Sequence, residues 1–252
     1  MNIAAARLAP ASALPIDTTL PAAGRFDMYA AIHKGLRSCM ASALLRVGQV
    51  DVSDAEDLQR TLVELDDLLD FCLAHIEHED DFVHTAIEAR RPAGAQRTAS
   101  DHAEHLGSIA ALRADGHALQ QAEPAQGPAL ALRLYRHLAL FVAENFQHMH
   151  IEETANNQAL WALYTDAELH AIHAALLQSL TPLEHLVSAR WMVPALSPAE
   201  RAGLLNGAKQ GMPPEAFAAV IAHVRPHLDL PAWRKLAPAI GLPQQPGLVD
   251  LA

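Results

Sequence analysis

The sequence predicts an all-α protein, an antiparallel up-down-up-down four-helix bundle with additional C-terminal helices. Three observations predict it. Apolar residues recur at alternating steps of four and three in four long segments, the period of one helix face. Short runs rich in Gly, Pro and polar residues separate those segments, and short connections make neighbouring helices antiparallel by default. Ala and Leu dominate while aromatic residues make up only 5% of the chain, a balance that favours helix over strand.

Residues 1–24 are rich in Ala and Pro, lack a helical period and are expected to form a flexible leader. The first helix is expected from near Phe26, with Tyr29, His33, Leu36, Met40 and Ala43 on one face and Gly48 ending it. Ser53-Asp-Ala-Glu56 has the form of a capping box for the second helix. Leu58, Leu62, Leu65, Leu69, Cys72 and Glu79 mark its inner stripe, and Arg90-Arg91-Pro92 with Gly94 closes it. The third helix is expected from near Thr98, with His102, His105, Ile109, Leu112 and Gly116 in line. After the loop at residues 123–128, the fourth aligns Leu134, Leu138, Phe141, Asn145, His148 and Glu152.

Two more sequences of capping-box form, at Thr165–Glu168 and Ser197–Glu200, predict that the remainder is helical, and Thr181–Glu184, of the same form, either starts a new helix or kinks the one before it. The stretch Trp191-Met-Val-Pro194 is the expected break between a bundle domain, residues 25–190, and a small helical appendage, residues 191–252.

Composition excludes several classes of function. A formal charge of -11 argues against a sequence-independent grip on nucleic acid or on an anionic membrane surface. No apolar run approaches the ~20 residues of a membrane span. Cys39 and Cys72 form no C-x-x-C pair, so neither a disulfide framework nor a thiolate zinc site is expected, and a reducing, cytoplasmic setting is. No H-E-x-x-H occurs, because His78-Glu79 is followed by Phe82 where the second histidine of a zincin would stand. No E-x-x-H occurs either, so the ferritin-type signature is missing.

Fifteen histidines are the anomaly, and their placement is patterned. The second helix carries His75-x-x-x-Glu79 followed by Asp80, and the fourth carries His148-x-x-x-Glu152 followed by Glu153. A four-residue step puts imidazole and carboxylate on one helix face. Both pairs fall on the inward stripe, where a carboxylate is costly unless paired or bound to metal. Aligning the two halves of the bundle sets His33 on His102, His75 on His148 and Glu79 on Glu152, as two helix hairpins related by a pseudo-twofold axis.

An inward histidine on the first helix, H-x-x-x-E on the second, inward histidine on the third and H-x-x-x-E-E on the fourth is similar to the hemerythrin, or HHE, family over about residues 25–160. The resemblance implies a carboxylate-bridged pair of non-haem iron ions, with His33, His75, Glu79, His102, His148 and Glu152 as metal ligands. Oxygen carriers of that family have H-x-x-x-H on the third helix and H-x-x-x-x-D on the fourth. Here His102 and His105 are three apart, and Glu152 and Glu153 follow His148. The pattern resembles the branch associated with iron and oxygen sensing. Ligand chemistry alone also suits zinc or manganese.

Around these residues, His105 is either a further ligand or a donor that orients one. Asp101 and Glu153 stand where each could hold an imidazole by its outer nitrogen, and Asp80 is placed like Glu153. Tyr29, a turn before His33, either hydrogen-bonds an oxygen ligand or packs with its hydroxyl at the bundle end. His78 and His150 are expected to be solvated and His84 to lie at the rim. Three functions fit: binding or sensing of O2, NO or iron, with a protein partner on the C-terminal helices; a di-iron enzyme reducing O2 or peroxide; or a helical scaffold whose site is empty or structural.

Overall fold

The computed structural model describes residues 24–243, so the expected leader lies outside the described residues except for Gly24, which sits in a turn. Every regular element among the described residues is helical. The long helices are α1 (Ala30–Gly48), α2 (Ala55–His78), α4 (Gln96–Gln120) and α5 (Gly127–Ile151). The shorter ones are α3 (Thr85–Arg90), α6 (Asn157–Leu163), α7 (Asp166–Ser179), α8 (Pro182–Ala195), α9 (Pro198–Gly211), α10 (Pro214–Val224) and α11 (Leu230–Ala239).

Helix α1 packs on α2 and α5, and α4 packs on the same two helices. The inward stripes of all four meet in one core that includes Leu36, Met40, Leu69, Leu112, Leu138 and Phe141. Each fully buried leucine there contributes roughly 2 kcal/mol through removal of apolar surface from water. A second core, built on Leu205, Phe217, Val224, Trp233 and Leu236, holds α9–α11 together.

Local chemistry sets the helix ends. Thr165, Thr181 and Ser197 each form a capping box with the glutamate three residues on. The expected box at Ser53 does not form. Asp54 caps α2 instead, accepting from the backbone N–H groups of Glu56 and Asp57. Ser53 is held in the preceding turn, its N–H and hydroxyl both donating to Asp51.

Two departures from straight helix bear on the site. A π-helical turn, Glu79–His84, joins α2 to α3, and a second, Glu152–Asn156, joins α5 to α6. Their i→i+5 bonding gives a wider turn, so residues five apart come to lie one above the other.

The expected break at Trp191–Pro194 is the last turn of α8, which runs on to Ala195. Val187 and Trp191 pack on the first core, whereas Val193 belongs to the second, so one helix serves both. The buried Arg201 of α9 donates to the carbonyls of Val193, Pro194 and Leu196 and so satisfies the end of α8. A Cβ on Gly35 would stand 3.1 Å from the backbone nitrogen of Met192, so glycine permits the close approach of α8 to α1. No helix among the described residues is long and apolar enough to cross a membrane.

Candidate metal centre

Four helices deliver side chains to one buried place. His33 comes from α1, His75 from the last turn of α2, His102 from the start of α4 and His148 from the last turn of α5. Glu79 and Glu152 are the first residues of the two π-helical turns. His33 and Glu152 are 0% exposed and Glu79 is 3% exposed.

Three groups of donors could hold an ion; the third is Asp80, His84 and His102, and the first two share both carboxylates. His33, His75, Glu79 and Glu152 form one, and Glu79, His102, His148 and Glu152 the other; the ligand atoms of each lie within 4.8 Å of one another. In the first, His75 Nε2 lies 3.2 Å and His33 Nε2 3.4 Å from Glu79 Oε1, with Glu152 Oε2 3.6 Å from His33 Nε2. In the second, His102 Nε2 is 3.4 Å from Glu79 Oε2, and His148 Nε2 is 3.2 Å from Glu152 Oε2.

These approaches lack hydrogen-bond geometry. All four carboxylate oxygens, together with His33 Nε2 and His75 Nε2, are buried without a hydrogen-bond partner. Orphaned polar atoms in a packed interior are costly, and here they converge. Buried imidazole and carboxylate of this kind could coordinate a metal ion.

Outer carboxylates hold three of the four imidazoles, those of His33, His102 and His148. Glu153 Oε1 lies 3.1 Å from His33 Nδ1, and the same carboxylate accepts both ends of the Arg37 guanidinium. Asp80 Oδ1 lies 2.8 Å from His102 Nδ1 and equally 2.8 Å from His84 Nδ1. Asp101 Oδ2 is 3.3 Å from His148 Nδ1. A carboxylate on the outer nitrogen sets the tautomer so that Nε2 offers its lone pair to the centre.

Charge is tightly linked. Burial alone pushes the His33 imidazolium down, but the hydrogen bond to Glu153 and the close carboxylates of Glu79 and Glu152 outweigh it and hold His33 at about 9. His102 is likewise held at about 9, burial being overcome by the close carboxylates of Glu79 and Glu152 and by the hydrogen bond to Asp80. Burial dominates for His75 and His105, which fall to about 4. Burial opposes ionisation of Glu79, yet the surrounding imidazoles of His75, His102 and His33 hold its carboxyl well below the usual range. The Nε2 atoms of His102 and His148 are 3.0 Å apart, so only one of them can carry a proton there.

The remaining residues named from the sequence divide. His105 is buried but belongs to none of the donor groups; its ring meets that of His148 edge-on at 5.0 Å, and its Nδ1 has no hydrogen-bond partner. Tyr29 is buried, with its ring 5.2 Å from that of His33 and its hydroxyl accepting from Asn156 Nδ2. Neither His78 nor His150 is exposed: both are half-buried, and His78 lies 3.6 Å from Glu184 of α8. Helix α8 thus covers the part of α2 that carries His78.

His84 is the residue that sequence reasoning missed. It is not a rim residue but is 4% exposed, stacked on His102 at 4.8 Å, with Nε2 3.6 Å from Glu152 Oε1 and 3.0 Å from Thr98 Oγ1. Straight helical register aims it elsewhere; the π-helical turn that starts at Glu79 brings it round.

No family model matches the chain, and no curated protein or solved structure matches it either.

Proposed function

We propose that the chain is a hemerythrin-like metal protein, an antiparallel four-helix bundle of α1, α2, α4 and α5 holding a carboxylate-bridged pair of iron ions, and that it binds or senses O2, NO or iron itself. The sharing of Glu79 and Glu152 between two histidine pairs carries the reading. One ion could use a single group of four, whereas two carboxylates common to both groups suit two ions side by side.

In this reading His33 and His75 would hold one ion and His102 and His148 the other, with Glu79 and Glu152 common to both. Such a pair, when bound, would supply redox chemistry toward oxygen or nitric oxide. The protein's part is to keep the imidazoles in register through Glu153, Asp80 and Asp101, and to exclude bulk water by burying both glutamates.

Sensing is favoured over carriage or turnover by the way α1 is clamped. Next to His33, Lys34 pairs with Glu200 of α9 at 2.6 Å, and Gly35 receives Met192 of α8. A shift of α1 at the metal would therefore reach α8 and α9 directly, and a protein partner docked on α8–α11 would receive it. That is a chain of physical contacts of the kind that can carry coupling between two sites.

Elemental analysis of chain saturated with ferrous iron tests the reading. Two ions per chain are expected, with near-ultraviolet absorption after exposure to air that disappears on reduction. A plateau at one ion refutes the bridged pair.

A further inference from the structure

We propose that the cavity between α1, α2, α7 and α8 binds an uncharged, apolar organic molecule with one end against the metal-facing side chains. What the ligand meets there rests on the metal reading above; that it binds does not.

Size is the first argument. The cavity has a volume of about 620 Å³, within the roughly 300–1,000 Å³ of small-molecule pockets. A diatomic gas needs little more than the ~30 Å³ share of one water. The chamber is an order of magnitude too large to serve only as a gas passage.

Wall chemistry is the second. Ile32, Phe71, Leu176, Leu180, Val187 and Trp191 line it. Tyr29, His75 and Glu79 contribute to the same wall, so the cavity is continuous with the first donor group. Leu177 and Leu183, 41% and 70% exposed, carry its apolar surface out to solvent.

The charged groups in the lining favour a neutral ligand, because the acids away from the metal end are hydrogen-bonded, paired or solvated. Asp27 accepts from the N–H groups of Tyr29 and Ala30, and Asp70 pairs with Arg113. Glu184 closes the capping box of α8 and faces His78, and Arg190 stacks on Trp191. Asp67 is exposed to solvent. A charged head group would find as counter-charge only Arg190, held over the Trp191 ring, or Glu79 at the metal end, so an uncharged ligand loses least on entering the apolar remainder.

The test uses the full chain and the neutral fluorophore N-phenyl-1-naphthylamine. With metal-free protein, one probe per chain is expected, with a rise in fluorescence that dodecane competes away. Val187→Trp, which fills the chamber, and Leu180→Asp, which makes its wall polar at the α7–α8 junction, should each weaken binding by roughly tenfold or more. Leu45→Trp, on an exposed position of α1 outside the cavity lining, should not. In cobalt(II)-loaded chain the probe should shift the visible cobalt bands, because His75 and Glu79 stand in the wall. Absence of saturable binding, or binding indifferent to both cavity variants, overturns the proposal. Probe binding that leaves the cobalt bands unmoved overturns its placement beside the metal. Failure to take up cobalt counts against the metal centre alone, since the metal-free arm still decides the cavity.

Discussion

Glu79 and Glu152 occupy the same place in their helices. Each follows by four the histidine of its own motif, each is the first residue of a π-helical turn, and each belongs to both four-residue donor groups. A shared carboxylate and a private imidazole should therefore fail differently. Glu79→Gln removes a charge common to both groups and is expected to lower uptake of both ions. His75→Ala strips one group and should leave a chain that holds about one ion. Elemental analysis of the two variants beside the parent separates these outcomes; equal loss from both would remove the case for bridging.

The register of α5 is tested by neighbours two positions apart. His148 faces the centre, whereas the ring of His150 belongs to no donor group. His148→Ala should lose about one of the two ions and leave Glu152 buried with one partner fewer, a cost on the order of a few kcal/mol if it stays ionised. His150→Ala should keep its metal. Iron per chain is the primary readout and melting temperature the secondary one.

Asp80 should matter more than its half-exposed position suggests, since one oxygen lies at hydrogen-bond distance from both His102 and His84. Asp80→Asn keeps the shape but weakens its hold on two rings. Metal affinity is expected to fall about 10- to 100-fold, the range for partners behind a ligand. A competitive chelator titration measures it, and an unchanged affinity would show that the rings are held by packing alone.

Much of the site was legible because ligands and core share one periodicity. His33, His102 and His148 lie on the apolar stripes, and the four-residue step to each glutamate is a property of any helix. His84 was not legible, because a π-helical turn leaves no apolar period of its own; the one hint was Asp80 standing four before it in a run of acids. His105 shared the stripe, yet three residues further along α4 it lies behind His148 rather than beside the carboxylates. The α2 cap was misplaced by one residue because Asp51 competes for Ser53. Asp54→Ala should therefore cost about 1 kcal/mol of stability, and Ser53→Ala much less, by urea denaturation.

Acidity should act in opposite directions on the metal-free fold and on metal uptake. In the metal-free protein His33 and His102 titrate at about 9, against an ordinary value near 6.5 in the unfolded chain. Between those values the folded state holds more protons than the unfolded one, so stability falls as pH rises from 6.5 through 9. His75 runs the other way: held at about 4 by burial, it makes stability fall as pH drops from 6.5 toward 4. These histidines together place the most stable metal-free state near pH 6.5. A metal ion competes for the same nitrogens and binds only the deprotonated ring, so uptake near pH 7 should release about two protons per chain, one from His33 and one from His102. Affinity should climb with pH up to about 9 and then level off. Calorimetric metal titrations in two buffers of different ionisation enthalpy count the protons directly. Release of none would mean that both rings are already neutral in the metal-free protein, and that their contacts with Glu79, Glu153 and Asp80 do not hold a charge there.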